Sequence, residues 1–466
     1  MDKTTNRLPA IEAYAVPCVD PFAQTPPLPA YPFARIPAAP VTVTVPGSKS
    51  MTSRALLLAT LADGASTLRG ALFSEDSRHF LRCIQELGFS AVAREEEKTV
   101  RVVGQGGSIP LPSASLYVGS AGTAARFLTA LLGLAHGRYH MDSSEQMRRR
   151  PMAPLLQALQ ELGCTVSFEG KKWHFPFILQ SSGFSADHIS VNIEHSSQFL
   201  SALLIAAALS GKDFTIRTEG VHGMSYIRMT QTMMEQFGVR VAQPAPDLFF
   251  LRSGQRYRAL DYQIEPDVSA ACYFYAMSPL LGIPVQVRHV DFRSGQGDIQ
   301  FLRILEQLGC TLDDSPGGIT VFPPAAGTFP GVEVDMSACS DQAITLAAIA
   351  PFAASPTVIR GIGHIRFQES DRIAAIAAEL GKMGIRCQET AHSITIFPGR
   401  PKPALVHTYD DHRMAMGFSL TGLRAPGIRI SHPECCRKTF ENYFEILSAM
   451  FPSGTLCPHP PSAPGQ

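Results

Sequence analysis

The 466-residue chain has little charge and no excess of either sign. Only 17% of its residues are charged, and 40 Lys and Arg side chains face 40 Asp and Glu side chains. A protein that binds nucleic acid usually carries a basic surface that neutralises several phosphates. The balance therefore argues against a nucleic-acid partner, and an anionic ligand would have to be held by locally placed cations and backbone amides.

Long apolar runs and paired cysteines are also missing. The longest apolar stretches, 199–209 and 343–354, are shorter than the ~20 residues that a membrane-spanning helix needs. The 10 cysteines include no CxxC pair, which argues against a disulfide framework and a zinc site. The N-terminal sequence lacks the charged region and apolar run of a signal peptide. We therefore expect a cytoplasmic protein with reduced thiols and no membrane partner.

Proline is concentrated at the two ends of the chain. Residues 1–40 hold nine prolines and residues 452–464 hold five. Neither end shows the periodic apolar pattern of a folded element. We predict Pro-rich tails over 1–39 and 452–466, with the folded part between them.

The chain between these ends repeats one unit six times. One series consists of amphipathic helical patterns, apolar at i, i+4 and i+7, that each end in a glycine. The glycines are 75, 75, 71, 75 and 70 residues apart, at Gly88, Gly163, Gly238, Gly309, Gly384 and Gly454. Glycine at this place predicts a helix C-terminal cap.

A second series of helical patterns runs out of phase with the first. These patterns are rich in small residues, apolar nearly all round, and cover 53–64, 122–137, 196–211, 269–282, 340–355 and 411–427. Helices that are apolar on every side are buried. An α/β fold without repeats would require both interleaved series to arise by chance, so internal symmetry is favoured.

Polar residues stand at the start of each predicted buried helix. A helix start exposes unpaired N–H groups and partial positive charge, so it attracts capping oxygens or an anionic ligand. Ordinary capping explains the serines and aspartates. It does not explain Lys49 with Arg54, or His412 with Arg413, because positive charge is unfavourable at this end of a helix. These cations favour a shared anion site.

Other catalytic motifs are absent from the sequence. Ser48 precedes Lys49 where a P-loop needs glycine, so no Walker A motif is present. The GSAG run at 119–122 provides no GxSxG elbow for a hydrolase. His136 and His140 have metal-like spacing, but Gly137 lies between them at a predicted helix end. Without HExxH or a Cys/His cluster, we predict no metal site.

Five segments resemble the signatures of the 5-enolpyruvylshikimate-3-phosphate synthase family, the 3-phosphoshikimate 1-carboxyvinyltransferases. They read VPGSKSMTSRALLLATLADG, GSAGTAARFLTALL, SSQFLSALLIAAAL, FQESDRIAAIAAEL and TYDDHRMAMGFSL, and the resemblance covers roughly 40–450. It implies an α/β (α+β) fold of two similar lobes, each an inside-out α/β barrel of three βαβαββ repeats, with the active site in the cleft between them. Lobe 1 would be 40–48 plus 264–451, and lobe 2 would be 49–263.

The resemblance also implies a reaction and a set of site residues. The family transfers the enolpyruvyl group of phosphoenolpyruvate to the 5-hydroxyl of shikimate 3-phosphate in aromatic amino acid biosynthesis, and we expect a monomer without cofactor or metal. The implied catalytic residues are Lys49, Asp341 and Glu369. Shikimate 3-phosphate would be bound by Lys49, Ser50, Arg54, Ser196, Ser197, Gln198, Tyr226, Asp341 and Gln368. Phosphoenolpyruvate would be bound by Lys49, Gly122, Arg126, Gln146, Gln198, Arg372, Arg413 and Lys438.

The chain departs from the family pattern at several positions, which leaves two alternatives open. The family usually has Arg at Gln146, Lys at Gln368, Asn at Ser120 and His364, and Ser at Gly223. Two of these changes remove a cation, at Gln146 and at Gln368. Arg148, Arg149 or Arg150 could replace the first and Arg366 the second; without such replacement, the changes would suit a non-catalytic paralogue that binds a phosphorylated ligand. The other alternative is the sister transferase that acts on UDP-N-acetylglucosamine, but its expected loop cysteine is absent from 140–151.

Overall fold

The computed structural model describes residues 13–18, 39–220 and 223–451. Most of the two predicted tails, namely 1–12, 19–38 and 452–466, lies outside the described residues, as does Gly454. The described part contains helices and short strands in regular alternation.

Helices of two kinds alternate along the chain. The helices of the buried series are α1 (Lys49–Leu61), α3 (Gly122–Leu134), α6 (Gln198–Ala207), α8 (Val268–Tyr275), α9 (Met277–Leu281), α11 (Ala343–Ile349) and α13 (His412–Arg424). The others are α2 (Glu75–Glu86), α4 (Glu145–Arg148), α5 (Ala153–Glu161), α7 (Met224–Gln236), α10 (Phe301–Gln307), α12 (Arg372–Lys382) and α14 (Tyr443–Met450). Short 3-10 turns cover Gly297–Gln300, Ser340–Gln342, Ala350–Phe352, Gly363–Phe367 and Pro433–Lys438.

The strands are short, between three and seven residues. They are β1 (Ala13–Ala15), β2 (Val41–Val43), β3 (Asp63–Arg69), β4 (Ser90–Arg94), β5 (Thr99–Gln105), β6 (Ser113–Tyr117), β7 (His136–Asp142), β8 (Thr165–Phe168), β9 (Phe177–Ser182), β10 (His188–Asn192), β11 (Phe214–Glu219), β12 (Val241–Ala245), β13 (Leu248–Leu251), β14 (Asp261–Gln263), β15 (Val285–Val287), β16 (Thr311–Ser315), β17 (Gly318–Phe322), β18 (Glu333–Asp335), β19 (Thr357–Arg360), β20 (Cys387–Glu389), β21 (Ile394–Ile396), β22 (Ala404–Val406) and β23 (Ile428–Ser431).

The described strands form six separate sheets, which confirms the six predicted units. Their strand orders are β14-β3-β5-β4, β6-β7-β9-β8, β10-β11-β13-β12, β2-β15-β17-β16, β18-β19-β21-β20 and β22-β23-β1. In each sheet the first two strands are parallel and the next is antiparallel. Three of the four-stranded sheets follow the chain order βαβαββ with their helices. The sheets of β3 and β15 instead take their first strand, β14 or β2, from a distant part of the chain. None of these described sheets closes into a barrel by itself.

The predicted helix properties are confirmed. Helices α1, α3 and α6 are buried on nearly every side, as are α8, α11 and α13. The cap glycines of the amphipathic series adopt the left-handed conformation, with φ of 89, 97, 95, 91 and 77° at Gly88, Gly163, Gly238, Gly309 and Gly384. Glycine reaches this conformation without the strain of a Cβ atom.

Two hydrophobic cores are present. The lobe 2 core takes its buried residues from Met51 to Ile264. The lobe 1 core combines Val16, Val43 and Val45 with residues 268–451. We propose that these cores are the two lobes with the boundaries expected from the sequence, because each core contains the buried helices of three units.

The chain connects the two cores at two adjacent crossings. Ser48 N–H donates to Glu265 O at 2.8 Å, and Asp267 N–H donates to Pro46 O at 2.8 Å. The carboxylate of Asp267 caps α8 and also accepts from Lys49 N–H at 2.9 Å. The starts of α1 and α8 therefore lie side by side at the junction of the cores.

The predicted tail over 1–39 is wrong for residues 13–18. Strand β1 pairs antiparallel with β23, from Ala13 opposite Ser431 to Ala15 opposite Arg429. Val16 then packs against Gly422 of α13, where an added Cβ would lie 2.5 Å from Val16 Cβ. Strand β1 thus occupies the antiparallel position of the sixth sheet. The sequence did not predict it, because a strand of three residues is too short to show an alternating apolar pattern.

Candidate active site

A polar cavity lies between the two cores, where the starts of four buried helices and of the amphipathic helix α12 meet. Helices α1, α3, α6, α12 and α13 begin at Lys49, Gly122, Gln198, Arg372 and His412, all of which line the cavity. The predicted site residues that line it are Lys49, Ser50, Arg54, Gly122, Arg126, Ser196, Ser197, Gln198, Tyr226, Asp341, Gln368, Glu369, Arg372 and Arg413. Gln146 and Lys438 do not line it. The fold therefore brings together most of the predicted set.

Asp341 is the most heavily bonded carboxylate in the cavity. Its Oδ1 accepts from Arg372 Nη1 at 2.9 Å, and its Oδ2 accepts from Arg413 Nη2 at 2.7 Å and from Tyr226 OH at 2.8 Å. Burial opposes ionisation, but the two guanidinium groups outweigh it and lower the pKa of Asp341. The carboxylate is therefore ionised at neutral pH and can accept a proton.

Glu369 lies in a second cluster of buried charges. His412 Nδ1 is 2.9 Å from Glu369 Oε2, and Lys438 Nζ is 3.1 Å from Oε1. Burial again opposes ionisation, but His412 and Lys438 outweigh it and lower the pKa of Glu369. Lys438 thus reaches the site through Glu369 rather than by lining the cavity.

Arg372 and Asp411 form a buried ion pair on the lobe 1 side of the cavity. Arg372 Nε donates to Asp411 Oδ2 at 2.8 Å, and Nη2 donates to Oδ1 at 3.2 Å. Asp411 also caps α13 by accepting from Arg413 N–H at 3.0 Å. One buried carboxylate therefore holds the guanidinium group of Arg372 and the backbone N–H of Arg413, the two arginines that bond to Asp341. Gln368 accepts a further hydrogen bond from Arg372 Nη1.

The lobe 2 side presents buried arginines without a carboxylate partner among the described residues. Arg54 donates to Thr230 Oγ1 at 2.7 Å, and Arg126 donates to Gln198 Oε1 at 2.9 Å. Burial lowers the pKa of Arg54 to about 10. A buried cation without a negative partner destabilises the protein, unless a bound ligand supplies the negative charge. This side of the cavity therefore fits an anion.

Arg150 lines the cavity although the resemblance did not assign it. Its guanidinium lines the cavity, and its Nη1 would lie 2.6 Å from a Cβ added at Gly122. Gln146, which was assigned to phosphoenolpyruvate, instead donates to Asp410 O at 3.4 Å. The sequence does contain three arginines at 148–150, but it does not show which of them turns inward.

Three further cavity residues were also missed by sequence reasoning. Asp76 Oδ2 lies 3.6 Å from Lys49 Nζ, while its buried Oδ1 has no hydrogen-bond partner among the described residues. His195 and Phe367 line the cavity from opposite cores. Asp76 stands in the first turn of α2, where an acidic residue is ordinary, so the sequence offered no distinguishing signal.

Two of the departures from the family pattern have a local structural explanation. Gly223 has φ of 65°, and an added Cβ would lie 2.5 Å from Ser197 Oγ. A side chain there would therefore disturb Ser197. His364 Nε2 lies 2.7 Å from Ser340 Oγ, next to Asp341, so His364 supports the segment that carries the carboxylate.

One cluster in the described part of the chain has the composition of a metal site. Ligand atoms of Glu369, Asp411 and His412 lie within 4.8 Å of one another. However, Lys438 Nζ already neutralises Glu369, and Arg372 neutralises Asp411. A divalent cation would have to displace or tolerate these positive charges. The sequence expectation that no metal is needed stays a prediction.

We expect the Arg372–Asp411 pair to make stability dependent on pH. Burial opposes ionisation of Asp411, but Arg372 outweighs it and lowers the pKa. Because the unfolded carboxyl titrates near ~4, stability is present above that pH and is lost as pH falls through the lower folded pKa. Asp411→Asn should cost about 3–5 kcal/mol at pH 7, and clearly less at pH 3, in urea unfolding.

A matched control separates this effect from general acid sensitivity. Asp313→Asn changes an exposed strand residue and should alter the free energy of unfolding by less than ~0.5 kcal/mol at either pH. A loss for Asp411→Asn that is equal at pH 7 and pH 3 would contradict the assigned direction of the pKa shift.

The geometry defines a class of protein: a two-core α/β protein of repeated units, with a cavity between the cores whose cations suit small anionic ligands. Residues 38–447 match the model of the EPSP synthase family, described as 3-phosphoshikimate 1-carboxyvinyltransferase. The chain belongs to this family. No helix in the described ranges is long and apolar enough to span a membrane.

Relatives and solved structures agree with this assignment. The 3-phosphoshikimate 1-carboxyvinyltransferase of Nostoc sp. is 45% identical over 404 residues, covering 86% of this chain and 95% of the relative. The enzyme of the same name from Sulfurovum sp. is 37% identical over 412 residues, which cover 88% of this chain and 96% of the relative. The solved EPSP synthase from Acinetobacter baumannii has a TM-score of 0.72 at 25% identity, covering 89% and 96%. The enolpyruvyl transferase NikO from Streptomyces tendae, at 16% identity and a TM-score of 0.69, shares the fold.

Proposed function

We propose that this chain transfers the enolpyruvyl group of phosphoenolpyruvate to the 5-hydroxyl of shikimate 3-phosphate and releases inorganic phosphate. The observation that carries the proposal is the ionised carboxylate of Asp341, which faces the cavity beside Arg372 and Arg413. The activity named for the family and for the relatives supports it. A protein that only binds a phosphorylated ligand has no need of this buried carboxylate.

The lobe 2 side of the cavity suits the phosphate of shikimate 3-phosphate. Ser196 and Ser197 stand at the start of α6, where backbone N–H groups and hydroxyls can surround a phosphate. Arg54 and Lys49 provide positive charge close by. We assign this phosphate to the serines and Arg54, because their charge and donors are not satisfied by any described carboxylate.

The phosphoenolpyruvate anion suits four arginines that line the cavity from both cores. Arg126 and Arg150 approach the N-terminus of α3 at Gly122 from one core, and Arg372 and Arg413 approach from the other. Arginine can bind a carboxylate or a phosphate through two parallel hydrogen bonds. The four guanidinium groups can therefore compensate the carboxylate and phosphate of this donor.

The two carboxylates can divide the proton transfers between them. As the 5-hydroxyl oxygen attacks C2 of phosphoenolpyruvate, Asp341 accepts the hydroxyl proton and the methylene carbon gains a proton. Glu369 is placed for the second transfer, because a bound anion beside it would raise its pKa and let it carry a proton. The tetrahedral adduct then returns a methyl proton to Glu369 and expels inorganic phosphate, which takes up the proton held by Asp341. Lys49 and Lys438 would stabilise the developing negative charge.

Phosphate release by the purified protein tests the proposed function. We expect release only when shikimate 3-phosphate and phosphoenolpyruvate are both present, and none with either alone. Asp341→Ala should abolish it. Absence of release by the wild-type protein, with shikimate 3-phosphate still bound in calorimetry, would refute the synthase and favour the non-catalytic paralogue. Release with UDP-N-acetylglucosamine in place of shikimate 3-phosphate would favour the sister transferase.

The state and location of the protein are further proposals. We propose a cytoplasmic monomer that acts on small-molecule substrates, because both cores contribute to one cavity within a single chain. Gel filtration coupled to light scattering should give the mass of one chain, 50.4 kDa. A mass of two chains would overturn the monomer.

Gly122→Ala should weaken phosphoenolpyruvate binding. A Cβ there would lie 2.6 Å from Nη1 of both Arg126 and Arg150, so both guanidinium groups would have to move. We expect the KM for phosphoenolpyruvate to rise about tenfold, as for a weakened charge-assisted contact, while the KM for shikimate 3-phosphate stays within about twofold. Steady-state kinetics would measure both, and equal changes in the two KM values would contradict the assignment. Gly133→Ala, elsewhere in α3, should affect stability rather than this ratio.

A further inference from the structure

We propose that His195 and Phe367 are positioning residues that hold the two sides of the cleft together around bound substrate. The proposal rests on the proposed function, because it assigns the pair a part in that reaction. Their ring centroids are 4.5 Å apart with an angle of 54° between the planes. Aromatic pairs at this separation attract each other beyond the effect of buried area. Neither ring is assigned to the chemical steps.

The two rings belong to opposite sides of the cavity. His195 immediately precedes Ser196 at the start of α6, on the side of the lobe 2 core. Phe367 ends the 3-10 turn Gly363–Phe367 and immediately precedes Gln368, on the side of the lobe 1 core. Their contact therefore joins the serines that suit the substrate phosphate to the segment that carries Glu369.

The position of Phe367 is unusual for its side chain. A single exposed phenylalanine needs no explanation by itself, and Phe367 is 49% exposed. This phenylalanine, however, is exposed at a polar cavity and meets an aromatic ring from the other core. The contact with His195 covers part of this apolar surface, so it favours the approach of the two sides.

The segment that carries Phe367 is firmly attached to the catalytic side. Arg366 pairs with Asp371 at 2.8 Å and with Glu389 at 3.0 Å. In the same turn, His364 Nε2 lies 2.7 Å from Ser340 Oγ, one residue before Asp341. A displacement of the Phe367 ring is therefore transmitted to the segments that carry Asp341 and Glu369.

His195 is attached in a similar way to the phosphate-binding side. Ser196 N–H donates to Ile193 O at 3.1 Å, which closes a turn around His195. Ser196 Oγ then accepts from Gln198 N–H at 3.3 Å. The imidazole thus moves with the serines and with Gln198, whose amide oxygen holds Arg126.

Another bond that crosses the cavity cannot serve the same purpose during the reaction. Tyr226 OH donates to Asp341 Oδ2 at 2.8 Å. That bond occupies the carboxylate that the 5-hydroxyl must approach, so substrate competes with it. The ring contact of His195 with Phe367 uses no group that substrate needs, and it can persist while the cleft is loaded.

Kinetics of four variants test the pair. Phe367→Ala and His195→Ala should each raise the KM for shikimate 3-phosphate roughly three- to tenfold, the range of an aromatic contact. At saturating substrate, kcat should lie within about twofold of the wild-type value, because the binding energy of the substrate then brings the two sides of the cleft together. The double variant should be no worse than either single variant. His195→Phe keeps an aromatic ring and should restore the wild-type KM.

A matched control and a binding measurement keep this test separate from that of the proposed function. Phe322→Ala removes an exposed phenylalanine at the end of β17 and should leave both KM values unchanged. Calorimetry gives the affinity for shikimate 3-phosphate, and small-angle scattering gives the compaction of the protein on binding. Neither needs turnover, so both test the role of the pair even if no phosphate is released. Three results would each overturn the proposal. The first is that the effects of the two single variants on KM add in the double variant. The second is that Phe367→Ala binds shikimate 3-phosphate with unchanged affinity and becomes as compact as the wild type on binding, and the third is that His195→Phe does not restore the wild-type KM.

Discussion

Replacing Asp341 with asparagine is expected to lower kcat for phosphate release by about two to four orders of magnitude, the usual contribution of a positioned general base. The amide is nearly the same size, and its single oxygen can still accept from Tyr226 and Arg413 in place of Oδ2, so most of the cavity should keep its shape. It cannot take the proton of the 5-hydroxyl. It also removes the negative charge that faces Arg413, which should strengthen rather than weaken the attraction for an anionic substrate.

The measurement is steady-state phosphate release together with the dissociation constant of shikimate 3-phosphate. We expect kcat to collapse while the dissociation constant changes by less than about tenfold. Asp335→Asn is the matched control, because it makes the same change at an exposed strand residue six positions earlier and should leave kcat unchanged. Activity in Asp341→Asn within tenfold of wild type would remove Asp341 from the role of base.

The repeated architecture could be predicted from the sequence because each unit carries two independent signals. The amphipathic helix and its capping glycine give one period, and the buried helix gives another that runs out of phase. Both follow from local physics, namely which face of a helix is apolar and where the chain must adopt positive φ. The sixth sheet could not be completed in this way, because β1 comes from the distant N-terminal region.

The candidate site could be predicted where its residues lie within the motifs at the helix starts. Asp341, Arg372 and Arg413 stand in such motifs, and their side chains meet as expected. Asp76 and Phe367 carry no local signal, because an acidic helix start and a single phenylalanine are ordinary in any sequence. Their proximity to the cavity depends on how the two cores face each other, which only the assembled fold determines.

The charge of a cavity depends on which side chains reach it in the fold, and a neighbouring residue can supply a cation that one motif position lacks. Gln146 is an example. The resemblance marks a lost cation at this position, which left a weakened or non-catalytic paralogue open as an alternative. In the structure Gln146 points to the backbone oxygen of Asp410, while Arg150, four residues later, lines the cavity. The positive charge expected from the motif is therefore present, although it comes from another residue of the same loop.

Arg150→Gln is accordingly expected to raise the KM for phosphoenolpyruvate by about ten- to hundredfold, since one charge-assisted contact to a buried anion is worth about 1.5–3 kcal/mol. Gln146→Ala should change it by less than about threefold. Arg149→Gln is the matched control, because Arg149 is 77% exposed and pairs only with Glu145 among the described residues. Steady-state kinetics at saturating shikimate 3-phosphate would compare the three variants. A larger effect at Gln146 than at Arg150 would mean that the loop rearranges when substrate binds, and that the glutamine takes the position of the missing cation.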